Sequence, residues 1–217
     1  MNPRERMACV LSGGIPDRVP LDDGYWQTTI DRWRRDGLPE DVSPRAYFGT
    51  DEIVRIGGDY TMQFPERLVE ECEETRTYWD SDGALRRDLH TEMGWTSQWL
   101  EFTITDPEAW AEHRHRMAFN PSRIPETAGE TYKEARARNR FVCYSAHACF
   151  HPTWMRIGME RMFMLMVEEP AFIHSLYAAH AQLVIDIYEG MRERGIDFDG
   201  AFMADDLGSR AAPLISP

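Results

Sequence analysis

Two unbroken β-prone runs, Phe141 to His147 and Phe198 to Met203, are separated by over 40 residues that read as helix. A connection of that length joins parallel strands, and such crossovers are right-handed in about 98 % of cases. The chain is therefore expected to be α/β. The second run ends on Asp205-Asp206-Leu207-Gly208, the way a buried parallel strand delivers acidic side chains to the open end of a sheet, where such folds keep their sites. The stretch from Ala211 to Pro217 forms no helix to cover that strand, so the sequence is expected to stop in mid-fold.

The 217 residues suit one domain, and with hydrophobics at 42 % the chain can bury a large core. There are 37 acidic against 24 basic residues, a net charge of −13 that repels nucleic-acid phosphates and anionic lipid. The densest basic cluster, Lys133 with Arg136, Arg138 and Arg140, is interrupted by Glu134 and reads as a solvated helix end. Cys9, Cys72, Cys143 and Cys149 have no paired spacing, and the first residues lack the basic-then-apolar pattern of a signal peptide. A reducing cytoplasm is the expected compartment, with no nucleic-acid partner and no membrane span.

Asn2-Pro3 predicts a helix start and Gly13-Gly14 its end. A short strand, Val19 to Leu21, is expected to end on Asp22-Asp23, with helices from Tyr25 to Arg35 and from Pro44 to Ile56, then a weak strand from Asp59 to Gln63. Asp80-Ser81-Asp82-Gly83 between two alternating runs predicts a β-hairpin, and residues 70 to 104 read as an antiparallel excursion. Thr105-Asp106-Pro107-Glu108 is a capping box opening a helix through Arg116, and further helices are expected over Thr127 to Arg138, Thr153 to Val167 and Pro170 to Arg194. Met155, Met159, Met162 and Met166 share one face of a continuous helix, as core residues do.

Four groups of residues could carry chemistry. Asp205 and Asp206 could accept a proton or bind an amine or hydroxyl, and Asp22 and Asp23 sit equivalently after the first expected strand. Cys143, Ser145, His147, Cys149 and His151 recur at every second position, so an extended backbone would set all five on one face. His147-x-Cys149-x-His151 supplies the donors zinc prefers, although a straight strand rarely brings i, i+2 and i+4 onto one ion. Tyr25 and Trp26 could stack on a flat substrate, and Arg156 could clamp a carboxylate. No phosphate-binding glycine loop, Gly-x-Ser-x-Gly elbow or Cys-x-x-Cys pair is present.

The residues themselves resemble a known family. Arg4-Glu5-Arg6 with Gly13-Gly14-Ile15-Pro16-Asp17-Arg18-Val19-Pro20 resembles the opening of the uroporphyrinogen decarboxylase superfamily, in its broad decarboxylase-like branch. Gly158-Met159-Glu160, Glu169-Pro170, and Asp205-Asp206-Leu207-Gly208 through Leu214-Ile215-Ser216-Pro217 match in order over nearly the whole chain. The resemblance implies a distorted (β/α)8 barrel whose last strands are missing here, as one domain over residues 1–217 with the hairpin inserted. It also implies two chemistries. Decarboxylation of a tetrapyrrole bearing eight carboxylates uses an arginine-rich segment where this chain reads Asp22-Asp23-Gly24-Tyr25-Trp26, and two carboxylates there would repel a polyanion. Methyl transfer to or from a corrinoid on a partner protein uses zinc to activate a thiol in the best-known members, with ligands that would fall beyond Pro217.

The expected function is corrinoid-linked methyl transfer, with Asp205, Asp59 and His147 as catalytic groups and Asp22, Asp23, Tyr25, Trp26, Asp206 and Arg156 binding a small-molecule substrate. His147, Cys149 and His151 are the weak zinc candidates. The alternatives are conversion of uroporphyrinogen III to coproporphyrinogen III, with Arg156 or Arg18 replacing the missing arginines, and a non-catalytic tetrapyrrole-binding module or half of a homodimer.

Overall fold

A computed structural model describes the chain except Glu92, Met93, Ser216 and Pro217; of Thr91, Gly94 and Trp95 it describes the backbone. The elements in chain order are α1 (Pro3–Leu11), α2 (Gln27–Arg35), α3 (Pro44–Phe48), β1 (Ile53–Ile56), β2 (Arg67–Glu71), β3 (Thr75–Trp79), β4 (Ala84–Thr91), β5 (Gly94–Phe102), α4 (Pro107–His113), α5 (Ala128–Ala137), β6 (Phe141–His147), α6 (Phe150–Ile157), α7 (Met159–Glu168), α8 (Pro170–Glu193) and β7 (Gly200–Ala204). Among the described residues no helix is long and apolar enough to cross a membrane. The chain divides into two compact units, one of residues 1–57, 126–145 and 192–202, the other of residues 58–125, 146–191 and 203–217.

In the first unit α1 begins as its sequence dictates. The Asn2 side chain accepts from the Glu5 amide, the Glu5 side chain returns to the Asn2 amide, and Pro3 fills the first turn. Ion pairs in the unit converge on two carboxylates, buried Asp51 and partly exposed Asp199. Asp51, 1 % exposed, is bonded by Arg6, by Arg18 at 2.7 Å and by the Leu21 amide at 2.9 Å. Asp199 accepts from Arg136, from Arg4 at 2.9 Å and from the Val142 amide at 2.9 Å. Strand β6 pairs in parallel with β1, Ile53 opposite Phe141 through Ile56 opposite Tyr144, in a three-stranded parallel sheet ordered β1-β6-β7. Phe141, Val142, Cys143 and Tyr144 are all buried there.

In the second unit, the antiparallel sheet β2-β3-β4-β5 contains the hairpin at Asp80-Gly83: the Asp80 amide donates to Ala84 O, the Gly83 amide to Asp80 O, and Gly83 has φ +80°. Helix α8 buries Phe172, Ile173, Leu176, His180, Leu183, Val184 and Ile187, the spacing of a single helical face. Arg123, 1 % exposed, donates to Asp59 O and Thr61 O at 2.8 Å each, to Ala118 O at 3.0 Å and to Arg116 O.

The partial (β/α)8 barrel is not what forms: three parallel strands and a separate antiparallel sheet make a mixed α/β chain in which no barrel closes among the described residues. The reasons are local. Gly49 at φ +65° ends α3 one turn after it starts, which frees Ile53–Ile56 to be strand where helix was expected. Asp59 to Gln63 curls instead of extending, because Asp59 accepts from the Thr61 amide and hydroxyl and Gln63 turns to φ +52°. Val19 to Leu21 runs as irregular chain against Asp51. Gly158, at φ +86°, also splits the helix expected over Thr153 to Val167, so the four methionines do not share one helix and only Met162 is fully buried.

Candidate functional site

The residues selected from the sequence fall in both units. Asp22, Asp23, Tyr25 and Trp26 are in the first; Asp59, His147, Cys149, His151, Arg156, Asp205 and Asp206 are in the second.

In the first unit, Asp22 is engaged by Arg45 and Arg55 at 2.8 Å each and by the Ile53 amide at 3.0 Å. Burial pushes its carboxyl up, but the amide and the two guanidiniums outweigh it and hold the group below the ordinary aspartate range. Asp23 bonds the Gly24 amide, and Tyr25 packs edge-on against Trp33 at 5.0 Å. Trp26, 81 % exposed, precedes α2. The carboxylate charge that would repel a polyanion is thus half neutralised by arginines.

In the second unit, Asp205 follows β7 and accepts from the Phe150 amide at 2.9 Å and the His151 amide at 2.6 Å, the first free donors of α6. Asp206, exposed, takes the next contact: its Oδ2 is 2.8 Å from His151 Nδ1. A carboxylate only accepts, so Nδ1 carries a hydrogen, and in the neutral imidazole the lone pair then lies on Nε2, which has no hydrogen-bond partner among the described residues. The imidazole of His147, exposed at the end of β6, stacks on His151 at 5.0 Å and 17°. Two imidazoles and a carboxylate therefore meet at the ends of neighbouring strands.

Beneath them lies a buried layer the sequence did not reveal. His180, fully buried, faces the His147 carbonyl through Nε2 at 3.1 Å and Arg156 Nη1 through Nδ1 at 3.3 Å. The carbonyl can only accept and the guanidinium only donate, so His180 carries its hydrogen on Nε2. Burial, then the positive charge of Arg156, pushes it down to about 4, so this imidazole is neutral at pH 7. Arg156 also bonds Asp82 and Tyr60 O, at 2.8 Å and 2.6 Å, which leaves its guanidinium committed inside the fold. The Tyr177 hydroxyl, pushed up to about 12 by burial and by Asp205 and Cys149, has no hydrogen-bond partner among the described residues. Only the position of His180 on the apolar face of α8 could have signalled this layer. Tyr177 carries no such signal.

The expected alternation of five donors ends at His147, because α6 starts at Phe150 with Cys149 as its N-cap. The Cys149 thiol points to Tyr177 O at 3.6 Å, and burial pushes its pKa up, which favours the thiol over the thiolate that zinc takes. Cys149 thus does not fit zinc beside the two histidines, and no group of three His, Cys, Asp or Glu among the described residues is set to hold a metal ion. Asp59 is held by Thr61 and Gln63: burial raises its carboxyl, and those hydrogen bonds with the charge of Arg123 bring it net below the ordinary value. Of the resemblance's matching residues, Ser216 and Pro217 lie outside the described residues. Comparison of the chain with family models, curated proteins and solved structures returns no match.

Proposed function

We propose that the chain is an enzyme acting in methyl transfer involving a corrinoid carried on a partner protein, with His151 and Asp206 handling the proton at the ends of the parallel strands. The observation that carries the reading is the Asp206–His151 pair: a carboxylate on Nδ1 leaves Nε2 as a base, the arrangement general base catalysis uses. The residue runs resembling the uroporphyrinogen decarboxylase superfamily supply the reaction class. Four free cysteines are compatible with a cytoplasmic home.

The corrinoid supplies or takes the methyl group. On transfer to a thiol, the acceptor the resemblance implies, the S–H proton moves to His151 Nε2 as the S–C bond forms. The corrinoid, when bound, would keep the electron pair of the bond it gives up, and Asp206 would stabilise the resulting imidazolium. His147, stacked on the same ring, would orient the acceptor.

Tetrapyrrole decarboxylation is the weaker reading because the arginines it would borrow are engaged, Arg156 with Asp82 and Arg18 with Asp51. The test is methyl transfer from free methylcobalamin, a surrogate for the carried corrinoid, to a thiol, followed by the cobalamin spectrum and the S-methyl product. The chain should accelerate the transfer, and His151→Gln should lower the rate by roughly 10²-fold or more, the usual contribution of a positioned base. Absence of transfer above the protein-free rate, or coproporphyrinogen formed from uroporphyrinogen, would reject the proposal.

A further inference from the structure

His151, in the first turn of α6, has a neighbour on each of three sides of its ring. Asp206 Oδ2 lies 2.8 Å from Nδ1, His147 stacks on the ring at 5.0 Å, and the indole of Trp154, three residues along the same helix, meets it edge to face at 5.1 Å and 69°. Trp154 is in turn backed by Trp99 of β5, whose ring meets it at 5.0 Å and 75°. All five side chains belong to the second unit.

The backbone does not set the plane of the His151 ring, because the terminal torsion of histidine is broad. Asp206 alone holds it weakly: its side chain is 73 % exposed, and an ion pair so placed is worth a factor of about five at most. His147 lies exposed at the end of β6 and is no firmer a wall. Trp154 is half-buried, shares the helix with His151 and is braced from behind. An edge-to-face ring contact is worth a factor of about two to twelve, so this contact matches or exceeds the carboxylate.

We infer that Trp154, braced by Trp99, is a positioning residue for His151: it fixes the plane of the imidazole so that Nδ1 stays on Asp206 and the lone pair stays on Nε2. The inference rests on the reading of His151 as the base, but its test is made without substrate.

The test is nitrogen magnetic resonance of the imidazoles of the isotope-labelled full chain at about pH 8.5, where an ordinary histidine is neutral, with the His151 signals assigned through His151→Gln. The wild type should show His151 mainly as the Nδ1–H tautomer. Trp154→Leu should lower the ratio of Nδ1–H to Nε2–H about two- to twelvefold, and Trp154→Phe, which keeps a ring, should retain most of it. Trp99→Leu, which leaves Trp154 in place and removes its brace, should move the ratio the same way by less, and it carries the test if Trp154→Leu does not fold. Loss of the tautomer in Trp154→Leu but not in Trp154→Phe supports the inference even where the wild type fails to transfer methyl, a failure that rejects only the reaction. The role of Trp154 is overturned if the leucine variants leave the tautomer unchanged, or if Trp154→Phe is as damaging as Trp154→Leu.

Discussion

At the scale of single residues, the second unit depends on charges placed where solvent cannot reach them. Arg156 is almost fully buried and links Asp82, the Tyr60 carbonyl and His180. Removing one member of a buried, hydrogen-bonded ion pair typically costs about 3–5 kcal/mol, because the partner is left charged and dry. Arg156→Met should therefore lower the urea midpoint by a cost of that order, while Arg161→Gln, at a partly exposed position, should change it little. His180 gives the unit a pH response of definite sign. Its folded pKa of about 4 lies below the unfolded value near 6.5, so between those values the unfolded chain binds the proton that the fold excludes. Stability should be full above pH 6.5 and fall by roughly 3 kcal/mol as pH drops towards 4. The carboxylates held below their ordinary range, among them Asp22, Asp59, Asp88 and Asp199, lose their contribution mainly below that window, as pH falls towards their folded values. Urea titrations at pH 7 and pH 4.5 should show the loss, and His180→Leu, though weaker at pH 7, should show a much smaller difference between the two. None of this was legible beforehand: Arg156 read as a clamp for substrate, and nothing in the sequence singled out Arg123, because burial of a charge is decided by residues far along the chain.

At the scale of elements, helix α6 is unusual in taking its cap from another element. Its N-cap residue, Cys149, makes no side-chain cap, and Asp205 from the end of β7 occupies both amides instead. Losing a capping carboxylate costs about 1–2 kcal/mol, and in a chain of this size each kcal/mol is worth roughly 2–4 °C in melting temperature. Asp205→Ala should therefore lower the melting temperature by several degrees, whereas Asp206→Ala, exposed and bonded to one imidazole, should leave it within a degree or so and act on turnover. Adjacent aspartates would then be separated into a structural and a chemical residue, a division that strand-end logic cannot make because it sees two carboxylates at one address. What that logic did find was strongly local. The Asn2-Pro3, Pro44 and Asp106-Pro107 helix starts, the Asp80-Gly83 turn and the apolar run of β6 each announce themselves within a few residues. It failed where a single glycine overrode a longer pattern, at Gly49 before β1 and at Gly158 between α6 and α7. The partial barrel failed for a different reason, since it needs strands at Val19 to Leu21 and Asp59 to Gln63, where the Leu21 and Thr61 amides donate to the Asp51 and Asp59 side chains instead of to a neighbouring strand.

At the scale of the whole molecule, connectivity constrains how the two units can unfold. The first unit is assembled from residues 1–57, 126–145 and 192–202, so residues 58–125 and 146–191 are excursions that leave it and return. If the second unit unfolded alone, those excursions would become flexible loops of roughly 70 and 45 residues pinned at their ends by the first. Each loop closure then costs about (3/2)RT ln n, roughly 3–4 kcal/mol apiece before any constant. Together they approach the 5–15 kcal/mol that a whole domain has available, so the first unit has little left to stand on. Ion pairs do not offset this, because those that join the first unit's segments, Asp199 with Arg4 and Arg136 and Glu52 with Arg140, are partly exposed and contribute little each. Unfolding should therefore be a single transition despite the two units. Five of the seven tryptophans, including Trp99, Trp110 and Trp154, lie in the second unit, so fluorescence reports mainly on that unit while far-ultraviolet circular dichroism reports on both. The two urea curves should superimpose in midpoint and slope. A fluorescence transition at lower urea than the dichroism transition would show that the first unit holds its excursions closed on its own, and the loop-closure argument would then be wrong.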